Sequence, residues 1–159
     1  MSVDAFLKLG DLKGESVVKG HEDEIQVLGW NWGMSQMGTT HRGTGGGAGK
    51  VDVQDLTISK FVDTASPNVA LAVCNGKHFD NATLTVRKAG ETPLDYLIIE
   101  MKDVIITSYM PGGSSGAENV EEAFTLNFAT FKDSYQPQDN KGAKAGGAVE
   151  VEYKIAENA

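Results

Sequence analysis

The sequence predicts a mostly β fold. It reads as a small closed barrel or sandwich of mainly antiparallel strands, with one short α-helix (about residues 66–76) packed on its side. Three observations carry that prediction. Most apolar residues recur with period two, the spacing of a strand with one buried face. The period slips by one at two places, as β-bulges that bend strands toward barrel closure would make it. A single segment carries helical punctuation.

The elements follow in order. Val3, Ala5, Leu7 and Leu9 alternate with Asp4, Phe6 and Lys8, which suits an opening strand. Between Glu24 and Trp32, Ile25 and Val27 share one face, whereas Leu28, Trp30 and Trp32 share the other. A similar slip separates Val51 and Val53 from Leu56 and Ile58. The helix is expected at Ser66-Pro67-Asn68-Val69-Ala70-Leu71-Ala72-Val73-Cys74-Asn75-Gly76, with a capping serine, a proline at the first helical position and a glycine at the stop. Ala82, Leu84 and Val86 mark another strand, as do Phe124, Leu126 and Phe128. Val149, Val151, Tyr153 and Ile155 mark the last.

One strand is apolar on both faces. Tyr96 and Ile98 lie on one side, Leu97, Ile99 and Met101 on the other, and Val104-Ile105-Ile106 follow. Two apolar faces need two burial partners: either the helix alone covers this strand, or the helix covers part of it and a neighbouring subunit the rest.

Composition narrows the class. The chain has 159 residues, 14 basic and 22 acidic, for a formal charge of −8. That length suits one domain over 1–159, with glycine-rich connections at 39–50 and 111–119 and a flexible connection at 137–148 before the last strand. An acidic chain is repelled by phosphate backbones and anionic lipid, so neither nucleic-acid binding nor membrane insertion is expected. The one cysteine, Cys74, cannot form an internal disulfide. The N-terminus has no basic region followed by an apolar run, so synthesis in the cytoplasm without a signal peptide is the expectation.

Catalytic and cofactor motifs fail one by one. In Gly43-Thr44-Gly45-Gly46-Gly47-Ala48-Gly49-Lys50-Val51, Thr44 stands where a P-loop needs glycine and Val51 where it needs Ser or Thr. A strand also follows, so no helix N-terminus is offered to a phosphate. His21, His41 and His78 lack metal-ligand spacing, and no second cysteine joins Cys74. Cys74 and His78 are four residues apart, which would permit a thiol nucleophile with a base, but Cys74 belongs to the apolar run of the helix and is expected to be buried and inert. No catalytic residue, metal or cofactor is therefore expected. Trp30 and Trp32, on one strand face, read as core; the alternative is a monomeric barrel that binds a ligand on these two rings.

A longer pattern spans nearly the whole chain: Asp11-Leu12-Lys13-Gly14-Glu15-Ser16, Trp30-Asn31-Trp32-Gly33-Met34-Ser35-Gln36, Val53-Gln54-Asp55-Leu56, Ser66-Pro67-Asn68, Cys74-Asn75-Gly76-Lys77-His78, Thr85-Val86-Arg87-Lys88-Ala89-Gly90 and Leu126-Asn127-Phe128-Ala129. It resembles the haemolysin-coregulated protein (Hcp) family, the tube subunit of bacterial type VI secretion. The resemblance implies a barrel with one lateral helix, a homohexameric ring, and rings that stack into an expelled tube with effectors in the lumen. It also implies sheath and spike partners, and export through the type VI system. On that basis Thr40, His41, Gly45, Gly46, Gly47, Lys50, Gly90 and Glu157 are expected to meet the neighbouring rings. Asn31 is expected to face lumen and cargo, and Tyr96, Leu97, Ile98 and Ile99 to contribute to the subunit interface.

Overall fold

The computed structural model describes residues 3–38, 50–90 and 92–159. Within these residues, ten strands and one helix follow in the order β1 (Val3–Leu9), β2 (Ile25–Val27), β3 (Gly29–Asn31), β4 (Met34–Ser35), β5 (Asp52–Val53), β6 (Leu56–Phe61), α1 (Ser66–Asn75), β7 (His78–Lys88), β8 (Leu94–Gly112), β9 (Glu121–Tyr135) and β10 (Val149–Lys154). All strand pairings are antiparallel. The main sheet runs β2-β1-β7-β8-β9-β6-β3, with β10 added to the far half of β9, and β4 pairs β5 separately. The predicted class is the observed one.

The two ends of the main sheet are almost the same piece of chain. β2 pairs β1 and β3 pairs β6, yet only Leu28 separates β2 from β3, and its N–H donates to the Ser59 carbonyl at 2.8 Å. The sheet therefore nearly closes on itself. This corrects the expectation of a bulge between Glu24 and Trp32: the phase slips because the chain changes partner at Leu28. The slip between Val53 and Leu56 has the same cause, since β5 pairs β4 while β6 pairs β3 and β9. The bulges lie elsewhere, in β8, where Tyr96 and Thr107 are the extra residues opposite Val86/Arg87 and Leu126/Thr125.

The core is built from the period-two residues. Leu7, Leu9, Ile25, Leu56, Ile58, Leu84, Ile99, Met101, Phe124 and Leu126 are all buried, each side chain contributing about 1.5–3 kcal/mol of transfer free energy. Phe6 departs from the alternation. It is buried on the other side of β1 by the stacked His21 ring, centroids 4.6 Å apart and planes 3° apart. The alternation also slips at one level across three neighbouring strands, between Phe79 and Ala82, Met101 and Val104, and Phe128 and Phe131. The pairing register is continuous there, and the exposed Asp103 takes a left-handed φ of 55°.

Helix α1 packs against β8 and buries Ser66, Val69 and Ala72. Its stop is as read: Gly76 adopts φ 65°, ψ 34° and its N–H returns to the Ala72 carbonyl. Its start is not. Ala65 holds the capping position, Asp63 Oδ1 accepts the Ala65 N–H at 2.9 Å, and Ser66 turns its hydroxyl to another use. Cys74 is exposed, correcting the expected burial. Gly14 is required by proximity, because a Cβ there would lie 2.5 Å from the Glu24 carbonyl oxygen.

Candidate functional site

The feature that organises the surface is the outer face of β3, β6, β9 and the end of β8. Leu56, Ile58 and Lys60 point inward from β6, which leaves Thr57 and Ser59 outward; Phe124 and Leu126 do the same for Thr125 and Asn127 on β9. One row of this face reads Asn31, Thr57, Thr125, Ser108 across the four strands. The next reads Gly29, Ser59, Ala123, Met110. The extra residue at Thr107 brings a second hydroxyl to Thr125. Thr107 Oγ1 and Ser108 Oγ both lie 2.6 Å from Thr125 Oγ1. Thr107 also donates to Asp55 Oδ2 at 2.7 Å, while Asn127 Nδ2 donates to Asp55 Oδ1 at 2.9 Å. Asn31, predicted to face a lumen, is exposed on this face, opposite the half-buried tryptophans.

Behind the face lies a buried ionic cluster that sequence reading missed. Lys60 is fully enclosed, and its ammonium donates to Asp63 Oδ1 at 2.8 Å, to Ser66 Oγ at 3.1 Å and to Glu122. Glu122 also accepts from Ser66 Oγ and from Tyr109 Oη, each at 2.5 Å. Burial alone would push the Glu122 carboxyl up, but the bonds from Lys60, Ser66 and Tyr109 outweigh it and hold the carboxyl below its ordinary value. Tyr109 is pushed up to about 12, by burial first and then by its bond to Glu122. The sequence held a signal. Lys60 and Glu122 occupy inward positions of two alternating strands, and inward charges of opposite sign call for each other.

A second polar cluster ties the segment before β2 to β8. His21 Nδ1 lies 3.0 Å from Glu24 Oε1, and Nε2 lies 3.2 Å from Asp95 Oδ2. Arg87 Nε donates to Asp95 Oδ1 at 2.7 Å and Arg87 Nη1 to the Lys19 carbonyl at 3.1 Å. Burial acts to raise the Asp95 carboxyl, but its bonds to Arg87 and His21 prevail and keep it low.

The remaining predicted residues are dispersed. Tyr96, Leu97 and Ile98 are half-buried, and Tyr96 and Ile98 border a shallow groove of about 180 Å³ together with Ser134, Tyr135 and Ala148. Ile99 is 2% exposed and belongs to the chain's own core. Lys50, Gly90 and Glu157 are exposed; Thr40, His41, Gly45, Gly46 and Gly47 lie outside the described residues. Trp32 packs edge-on against Phe131, centroids 4.8 Å apart, and both tryptophans rest on the core. Cys74 and His78 are exposed with no hydrogen bond between them. Among the described residues, no three His, Cys, Asp or Glu side chains gather as a metal site, and no helix is long and apolar enough to cross a membrane.

This nearly closed barrel with one lateral helix has known counterparts. The family model described as type VI secretion system effector, Hcp, matches residues 6–135. The chain belongs to the Hcp family. Protein hcp1 of Pseudomonas aeruginosa is 52% identical over 159 residues, covering 99% of this chain and 98% of that protein. The crystal structure of Hcp1 from Salmonella typhimurium is similar at 32% identity and a TM-score of 0.81, covering 100% of this chain and 99% of its own. A solved type six secretion system protein superposes with a TM-score of 0.93 at 27% identity, with 99% of each chain covered. The resemblance read from the motifs is thereby established, and the chain is a protein of type VI secretion.

Proposed function

We propose that this Hcp-family chain is a structural subunit of the type VI tube. Six copies join head to tail in a ring, rings stack, and the bore carries effectors. One observation supports this reading above the rest: the polar four-stranded face ends in two unpaired strand edges. Among the described residues β3 pairs only β6, and β8 beyond Ile106 pairs only β9, because its pairing with β7 stops at Ile105. A sheet with a free edge at each end is suited to a heterologous contact that repeats around an axis. In such a ring the Asn31, Thr57, Thr125 and Ser108 row faces the bore, and hydroxyls and amides offer cargo a surface that is wet and not adhesive. Tyr96, Leu97 and Ile98 are the half-buried apolar residues that a neighbouring copy covers, whereas Ile99 is already used by the core. Lys50, Gly90 and Glu157, with Thr40, His41 and Gly45–Gly47, meet the next ring. Sheath and spike complete the machine, and expulsion of the tube delivers the chain outside the cell.

Size-exclusion chromatography with light scattering, together with negative-stain images, tests the ring. Hexamers at micromolar concentration are expected, and a monomer with no rings would refute the reading. Ile98→Glu places a charge in the apolar contact and should abolish rings while leaving the circular-dichroism spectrum and thermal midpoint of the chain nearly unchanged. Deleting Gly45 to Gly47 should leave hexamers and impair tubes; unaltered tubes would remove that loop from the stacking contact.

A further inference from the structure

The face assigned to the bore has a charge pattern as well as a polarity. Its central rows are uncharged: Asn31, Thr57, Thr125, Thr107 and Ser108, then Gly29, Ser59, Ala123 and Met110. The ionisable groups stand at its two ends. Glu121 is exposed where β9 begins, opposite Phe61 and Gly112, and Asp55 lies at the other end beside Asn127. Among the described residues, no Lys, Arg or His occurs in the two central rows or opposite Glu121; the row of Asn127 continues through Ile105 to His78 on β7. The cation nearest in sequence, Lys60, points to the opposite side and spends its charge on Glu122 and Asp63.

Asp55 is also fixed in direction. One carboxylate oxygen accepts from Thr107 and the other from Asn127, so the group cannot fold away from the face without losing both bonds. Among the described residues, the carboxylates of this face therefore stand at its margins and its central rows are uncharged.

We propose that this face selects polypeptide cargo whose contacting surface carries Lys and Arg side chains, with Asp55 and Glu121 as the residues that recognise them. The inference rests on the ring reading above. Six-fold repetition turns each carboxylate into a circle of negative charge inside a concave wall. A concave, low-dielectric surface of one sign focuses the field and concentrates the opposite charge. Anionic cargo, nucleic acid included, is repelled by the same circles. Because the carboxylates face water, the selection weakens as salt screens them.

The test uses the assembled full chain and a fluorescent oligolysine as probe, with oligoglutamate for comparison, read by anisotropy at low and high salt. Two variants remove the same number of charges. Asp55→Asn/Glu121→Gln removes them from the face, and Asp80→Asn/Glu152→Gln removes them from exposed strand positions elsewhere. The face variant should bind oligolysine about tenfold more weakly than the parent, and the control variant less than about twofold. Oligoglutamate should stay unbound to the parent. If both variants lose affinity equally, or neither does, attraction comes from the overall charge of −8 and the assignment of Asp55 and Glu121 is overturned. Light scattering on the same samples separates the two levels: a single-chain mass refutes the ring itself, whereas a hexamer with indifferent binding refutes the charge selection alone.

Discussion

Glu122 and Asp133 stand near opposite ends of β9, the first wholly and the second partly out of water, yet their surroundings drive them in opposite directions. Glu122 is wholly buried and answered by Lys60, Ser66 and Tyr109, so its carboxyl is held low. Asp133, half-buried between Ile99 and Val151, has an enclosed Oδ1 that meets no donor, and burial pushes its carboxyl up. Trp32 Nε1 is enclosed without a partner as well. The lesson is that depth alone does not set the state of a buried acid. Removal from water raises both groups, and the number of donors aimed at each decides which one stays charged at little cost.

The largest effect should come from breaking the answered site. Lys60→Met leaves Glu122 buried and uncompensated, a loss of about 3–5 kcal/mol in urea or thermal unfolding. Adding Glu122→Leu to that variant removes the orphaned charge and should recover most of the loss. If the double variant is no better than the single one, the pair is not the source of the cost. Tyr109→Phe is smaller: it deletes one of the bonds to Glu122 while keeping the ring, and should cost about 1 kcal/mol.

The smallest effect has the opposite sign. Asp133→Asn removes a charge that the fold disfavours, and should stabilise the chain at neutral pH by less than about 1 kcal/mol, because solvent still screens a half-exposed side chain. The two sites also separate by pH. Glu122 has a lowered folded-state value, so its contribution is complete above the ordinary 4.5 and is lost as pH falls through the lowered value. Asp133 has a raised value, so ionising it weakens the fold as pH rises from 3.8 through the raised value. Thermal midpoints measured from pH 3 to 7 should therefore show the Asp133→Asn gain growing with pH and vanishing at the acid end. A gain that is constant across that range would show that charge is not its cause.

Much of the fold was legible because alternation is a local property. Leu7 and Leu9, Leu84 and Val86, Phe124 and Leu126 declare buried faces wherever the strands end up. The candidate bore face was legible only through the resemblance. Periodicity put Asn31 opposite Trp30 and Trp32 but could not say which neighbours it would gain; the row to Thr57, Thr125 and Ser108 exists only once β3, β6, β9 and β8 are side by side. Lys60 and Glu122 were hidden for the same reason, since each is an anomaly alone and an ion pair only across two adjacent strands. The alternation of β1 turns Phe6 outward, and no local pattern reveals that His21 will stack on it. Cys74 misled in the other direction: it joins an apolar run, but α1 buries Ser66, Val69 and Ala72 and turns the thiol to solvent.

Leu28 has a mechanical meaning that the pairing diagram does not express. With β2 committed to one end of the sheet and β3 to the other, this residue acts as the clasp of a belt, and there is no slack on either side of it. A pull on β3 therefore pulls on β1 through β2, and strain entering at one margin of the sheet is felt at the opposite margin. The gap in the hydrogen-bonded sheet is thus bridged by covalent chain at this one residue.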